Sequence, residues 1–270
     1  MIFSKDQEIS KQAIWTVGNI IGDSAELRDS AIHQGIIQPI LFLSQRKLPL
    51  KTKRFLVWTI LNMTRHVEHP LLESDVAQIV PVLHDLINFT TDLEILQNAI
   101  WAFDFLLENP KNIQMIVDSG VISQIIREML SVSLEIQRRS LVVVTRIVHK
   151  SIESLSYDNL SKILKYMPIL LKTPNDWIQM DSLFLLSSIA SGSELRCASI
   201  LESGILDKVV ELLTFENTNV QEEAVWLINH IALSGNNVHI KEIGNGKVLV
   251  PLCNLLKLNV KSNVLMVRSE

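Results

Sequence analysis

The chain has 270 residues, 47% of them hydrophobic, with nine glycines and eight prolines. That is ample material for a core and too apolar for a disordered chain. The balance of 25 Lys+Arg against 29 Asp+Glu gives a net charge of −4, without the basic excess of a nucleic-acid binder.

Met1 to Ser10 is mixed polar and holds no apolar signal core. The longest apolar runs, such as Ser140 to Val148, fall far short of the roughly 20 residues that span a bilayer. Cys197 and Cys253 sit in apolar runs and suggest a reduced, intracellular protein.

In chain order, Asp6 to Ile21 reads as a long amphipathic helix. It carries Trp15 and, four residues on, Asn19, so the two share a face. Asp23-Ser24 ends it and starts a short helix to about His33. Gly35 breaks that helix, and Ile36 to Leu43 begins the next. The second unit runs from Leu50, through a helix bearing Trp58 and Asn62, to Leu86. The third runs from Asp92, through the Trp101 helix, to Leu130. The fourth begins at Leu134, with its inner helix over Arg138 to His149. The fifth has its inner helix at Trp177 to Ala190, and the sixth covers Asn219 to Leu256. Asn259 to Glu270 reads as the start of a seventh. No sustained period-two alternation marks a strand.

Two signals fix the period. Trp15, Trp58 and Trp101 fall at successive intervals of 43 residues, and Trp226 follows 125 residues later, close to three further periods. Gly35, Gly120 and Gly204 repeat at 85 and 84 residues, two periods each time. Glycine suits the left-handed residue that ends a helix. Ile243-Gly244-Asn245-Gly246-Lys247 reads as a fourth copy with a small insertion. Helical units of roughly 42 residues lie in the armadillo range. The expectation is an all-α, armadillo-repeat right-handed superhelical solenoid of about six repeats of three helices, forming a single domain over residues 1–270. Its inner helices fall near 6–21, 50–65, 92–107, 134–149, 177–190 and 219–233.

Other chemistry finds little support. His66 and His69 sit at a helix end with no third metal ligand in reach. The segment from Gly244 to Lys247 lacks the flanking residues of a phosphate loop and follows no strand. No motif places a catalytic set. Neither an enzyme nor a metal or cofactor site is expected. Asp104 and Glu108 read as solvated surface near the inner face of the third unit.

The stretch Trp15-Thr-Val-Gly-Asn-Ile-Ile-Gly-Asp-Ser24 strongly resembles importin-α (karyopherin-α), and so does Trp58-Thr-Ile-Leu-Asn-Met-Thr-Arg65. The likeness continues in order through Asn98 to Phe103, Ile116 to Val121, Glu222 to Trp226 and Pro251 to Leu256. The resemblance implies an adaptor that binds Lys/Arg-rich nuclear localisation signals in a concave groove. The asparagine amide can clamp an extended peptide backbone. Neighbouring tryptophans form slots that hold the stem and charge of a lysine or arginine. By resemblance, Trp15, Asn19, Asp23, Trp58, Asn62 and Trp101 match the major peptide site, with Arg65 also on pattern. Glu223 and Trp226 match the minor site. Asp23 matches the carboxylate that pairs with the most strongly selected lysine.

Two of these residues keep a structural alternative. Asp23, with Ser24, could simply cap the next helix, and Asn62 could be a satisfied core amide.

The chain also departs from the family pattern. Asn98 stands where the family carries Asp. Val142, Arg146, Phe184, Ser188 and His230 replace minor-site and ladder residues, and Asn229 falls on the wrong face. The likeness begins after the family's first Trp/Asn repeat and its importin-β-binding segment. Importin-β is therefore a partner only if a segment outside this chain supplies the binding region. The implied partners are proteins bearing basic localisation signals, with no nucleic acid and no membrane. The implied location is cytoplasm and nucleus. A degenerate or truncated paralogue, serving as a non-transporting interaction scaffold, is the alternative. A catenin-type scaffold with a basic groove is a weaker one.

Overall fold

The computed structural model describes residues 6–151, 153 and 155–257. The expected seventh-repeat start at Asn259 to Glu270 lies outside them. Among the described residues the protein is all-α, and it has the armadillo-repeat solenoid fold. Contacts gather the chain into two compact units, Met1–Val143 and Val144–Glu270. No described helix is long and apolar enough to cross a membrane.

The first unit holds α1 (Gln7–Asp23), α2 (Ala25–His33), α3 (Ile37–Ser44), α4 (Leu50–Thr64), α5 (Glu73–Asn88), α6 (Leu93–Leu106), α7 (Ile113–Asp118), α8 (Ile122–Glu128) and the start of α9 (Leu134–Lys150). The caps follow the sequence. Asp6 accepts from the Glu8 and Ile9 amides at the head of α1. Ser24 accepts from Leu27 at α2, and Asp92 from Ile95 at α6. Helices α1 and α4 pack together, as do α4 and α6. They bury Ile14 and Ile21, then Leu56, Val57 and Ile60, then Ala99, Ile100 and Phe103. Closing that stripe leaves the opposite helix face, with Trp15, toward solvent.

The second unit continues with α10 (Tyr157–Leu170), α11 (Asp176–Ala190), α12 (Glu194–Glu202), α13 (Leu206–Leu212), α14 (Thr218–Ser234), α15 (Asn237–Ile243) and α16 (Gly246–Lys257). Helices α11 and α14 pack together, burying Ile178, Leu183 and Leu186 on one and Ala224, Leu227 and Ile231 on the other. Cys197 is buried, Cys253 is exposed, and both are free.

The glycine signal marks three of the helix breaks. Gly35, Gly120 and Gly204 take φ of 84°, 78° and 73°, and they separate α2 from α3, α7 from α8 and α12 from α13. Only glycine adopts that backbone freely. The second and fourth repeats carry no such glycine. Their outer helices α5 and α10 run unbroken, with Pro81 and Pro168 inside them, so these repeats have two helices rather than the expected three. Gly244 departs from the expectation as well. Its φ is −77°, so the proposed fourth glycine turn is an ordinary helix end.

Candidate functional site

In the first unit, the seam between α1 and α4 is built around two glycines. A Cβ on Gly18 would stand 2.4 Å from Cζ3 of Trp58, and one on Gly22 would stand 2.9 Å from Nδ2 of Asn62. Trp58 and Asn62, four apart on α4, therefore lie on bare backbone at two glycines four apart on α1. Neighbouring α4 residues fasten the same stripe. Thr59 Oγ1 donates to the Ile14 carbonyl at 3.2 Å, and Asn62 Nδ2 donates to the Gly18 carbonyl at 2.9 Å. The His66 ring lies 3.1 Å from the Ile21 carbonyl.

This geometry separates residues that the sequence grouped together. Asn62 is only 3% exposed, and its Oδ1 accepts from Arg65 Nη1 at 3.3 Å. One N–H and one lone pair of its amide are engaged inside the protein, as the satisfied-amide alternative expects. Trp15 is 46% exposed. Asn19 is exposed and donates to the carbonyl of Trp15 on its own helix at 3.1 Å. Ser24 makes the cap at the start of α2, which leaves the Asp23 carboxylate exposed and unbonded among the described residues. Trp58 is half-buried. An exposed carboxylate on the helix that carries an exposed indole suits a cation with an apolar stem.

Trp101 on α6 has a different setting. It is half-buried, and its indole N–H is buried without an acceptor among the described residues. The Arg139 guanidinium from α9 lies 5.1 Å from the centre of its ring. Arg139 Nη1 also donates to Asp104 Oδ2 at 2.5 Å. Asp104 is 3% exposed, which corrects its reading as solvated surface.

In the second unit, Glu223 and Trp226 share one face of α14, three residues apart, and both are half-buried. Burial, together with the charges of Glu222 and Asp181, pushes the Glu223 carboxyl up to about 7. Trp226 lies 6.2 Å from the His230 ring, centre to centre, and burial lowers the His230 imidazole from its ordinary value. The His149 and Phe184 rings stand 6.3 Å apart. Ser188 bonds back to the Phe184 carbonyl of its own helix, so it offers no clamp in place of an asparagine amide.

Two features were missed in the sequence. The glycine pair four apart inside a strongly patterned helix was a legible sign of close backbone approach. The contact of Arg139 with Trp101, 38 positions away, had no local signal.

Comparisons with known proteins agree with this architecture. A family model for the armadillo/beta-catenin-like repeat matches residues 198–233. Importin subunit alpha-5 of Arabidopsis thaliana is 25% identical over 256 residues, which is 94% of this chain and 49% of that protein. Importin subunit alpha-8 of the same plant is 24% identical over 95% of this chain and 57% of its own length. Importin subunit alpha-2, also from Arabidopsis thaliana, is 31% identical over 47% of this chain and 23% of its own. The chain thus spans about half the length of the curated relatives it matches most fully. Among solved structures, an engineered protein superposes with a TM-score of 0.79 at 22% identity, covering 97% of this chain and 63% of its own. A designed armadillo repeat protein in complex with the peptide (KR)4 gives 0.53 at 20%, covering 98% of this chain and 92% of its own. The chain has the armadillo-repeat fold and is similar over most of its length to importin-α subunits.

Proposed function

We propose that the first unit binds Lys/Arg-rich peptides of the nuclear-localisation type and that the chain serves protein import into the nucleus, moving between cytoplasm and nucleus. The observation that carries this reading is the exposed, unbonded Asp23 carboxylate on the helix that presents Trp15 at 46% exposure. Trp15, Asn19, Asp23 and Trp58 form the contact set. Asn62 and Arg65 hold Trp58's helix in place rather than touching the peptide, and Trp101 stands at the far end. Each cation over an indole contributes about 0.5–2 kcal/mol, so two such contacts and one carboxylate favour a short basic motif. Glu223 and Trp226 form a second, weaker cationic subsite in the other unit. Similarity to importin-α subunits supports the assignment, and a designed armadillo repeat protein of similar fold, solved in complex with the peptide (KR)4, is consistent with it. In this reading the chain is a binding protein and not an enzyme.

The second reading is a non-transporting interaction scaffold descended from the same family. The buried Asn62 amide favours it, because one backbone clamp of the ladder is spent on packing.

The test is fluorescence anisotropy of a labelled Lys-rich localisation peptide at two salt concentrations. The comparators are a peptide with its key lysine changed to Thr, Asp23→Lys protein, and the Trp15→Ala/Trp58→Ala pair. Micromolar or tighter binding that weakens with salt and is lost in all three comparators is expected. Undiminished binding to Asp23→Lys protein refutes the site, and absence of binding by folded native protein favours the scaffold.

A further inference from the structure

We infer that Arg139 occupies the Trp101 slot from within, so that the peptide groove of the first unit ends at Trp58. This rests on the groove reading above and assigns its length. The third slot already holds what a basic peptide would bring to it. The Arg139 guanidinium sits 5.1 Å from the Trp101 ring centre, within the roughly 6 Å over which a cation is drawn to an indole face. Its planar fork also reaches the carboxylate beside the slot, with Nη1 2.5 Å from Asp104 Oδ2. The Arg139 side chain is two-thirds buried, at 33% relative exposure, and that of Asp104 is 4% exposed. Glu135, one turn earlier on α9, adds a second carboxylate at 4.0 Å.

A peptide lysine or arginine could enter only by displacing this guanidinium and leaving a buried carboxylate without it. That exchange gains no net contact, because the incoming cation only replaces a partly buried ion pair that must first be broken. Trp15 and Trp58 differ: no arginine or lysine lies over either ring among the described residues. Selection of cations therefore concentrates at the Asp23 end. Arg139 acts as the specificity-setting residue, closing the groove to longer basic runs.

The experiment compares native, Arg139→Gln and Arg139→Gln/Trp101→Ala proteins, each checked for helical content, for affinity toward the peptide (KR)4. Arg139→Gln is expected to bind about 3- to 10-fold tighter, with the gain abolished by Trp101→Ala. Where native protein binds (KR)4, unchanged or weaker binding by folded Arg139→Gln overturns the inference.

A second readout needs no peptide. Fluorotryptophan-labelled protein, with resonances assigned by single Trp→Phe changes, is exposed to a soluble nitroxide. The Trp101 signal is expected to be protected in native protein and to broaden like that of Trp15 in Arg139→Gln and in Arg139→Gln/Asp104→Asn. The double change removes the buried charge along with its partner, so it guards against misfolding of the single variant. Equal broadening with and without Arg139 overturns the inference even where (KR)4 binds no variant, an outcome that would by itself refute only the groove.

Discussion

Gly18→Ala tests the seam on which the site rests. In most helices this change is favourable by about 1 kcal/mol, because alanine costs less backbone entropy. Here the added methyl would stand 2.4 Å from Cζ3 and 2.9 Å from Cε3 of Trp58, and 2.7 Å from Oγ1 of Thr59. Real carbon contacts do not approach so closely, so α4 must move away or the rigid indole must swing off α1. Overpacking of this kind costs about 1–3 kcal/mol. Displacing Thr59 adds about 1 kcal/mol for its bond to the Ile14 carbonyl. Subtracting the propensity gain leaves a net loss of about 1–3 kcal/mol. The assay is urea unfolding followed by circular dichroism, with a double-mutant cycle against Trp58→Phe, whose shorter ring withdraws the clashing edge. The cost should shrink by more than half in the Trp58→Phe background. Gly18→Ala protein as stable as native, or a cycle with no coupling, refutes the argument that the glycine exists to receive the indole.

Asn62→Ala should lower stability by about 1–3 kcal/mol, because it leaves Arg65 without its acceptor and removes the bond to the Gly18 carbonyl. It should change peptide affinity by less than about threefold; a large affinity loss in folded protein would return Asn62 to the contact set. Asp92 both caps α6 and pairs with Arg54 of α4, and the hydrogen bond from Arg54 holds its carboxyl below the ordinary range. Asp92→Ala should cost about 1 kcal/mol at neutral pH, mostly through the lost cap. Since the folded carboxyl is the stronger acid, its contribution is complete above the ordinary carboxylate range and disappears as pH falls through it, so native and variant unfolding midpoints should converge in acid. Glu223 has the opposite sign. Its folded value is raised from 4.5 to about 7, so the native state holds the extra proton and stability falls as pH climbs through that window. Glu223→Gln should remove this slope in melts taken from pH 5 to 8; an unchanged slope would refute the assignment.

The sequence was read most successfully where the signal is local. Asp23-Ser24 marks the boundary between α1 and α2, and glycines two periods apart mark the three left-handed turns. Those signals depend on a few neighbouring residues, whose backbone preferences act the same way in any fold. The two-helix repeats were not visible, because an absent glycine is a weaker sign than a present one. Trp15 and Trp58 announced a ladder through their spacing, yet spacing alone could not say which rungs face solvent.

The chain alone thus determined the helical period, the turns and the phase of the tryptophans, since these follow from hydrophobic periodicity and from the conformational range of glycine. Only the tertiary structure decided that Asn62 fastens two helices while Asn19 faces out, that Ser24 rather than Asp23 makes the cap, and that Arg139 covers Trp101. Each of those outcomes turns on which atoms compete for one partner. For Asn62 and Arg139 the competitors come from helices a full repeat apart, brought within a few ångströms only when neighbouring repeats stack and bury their shared face.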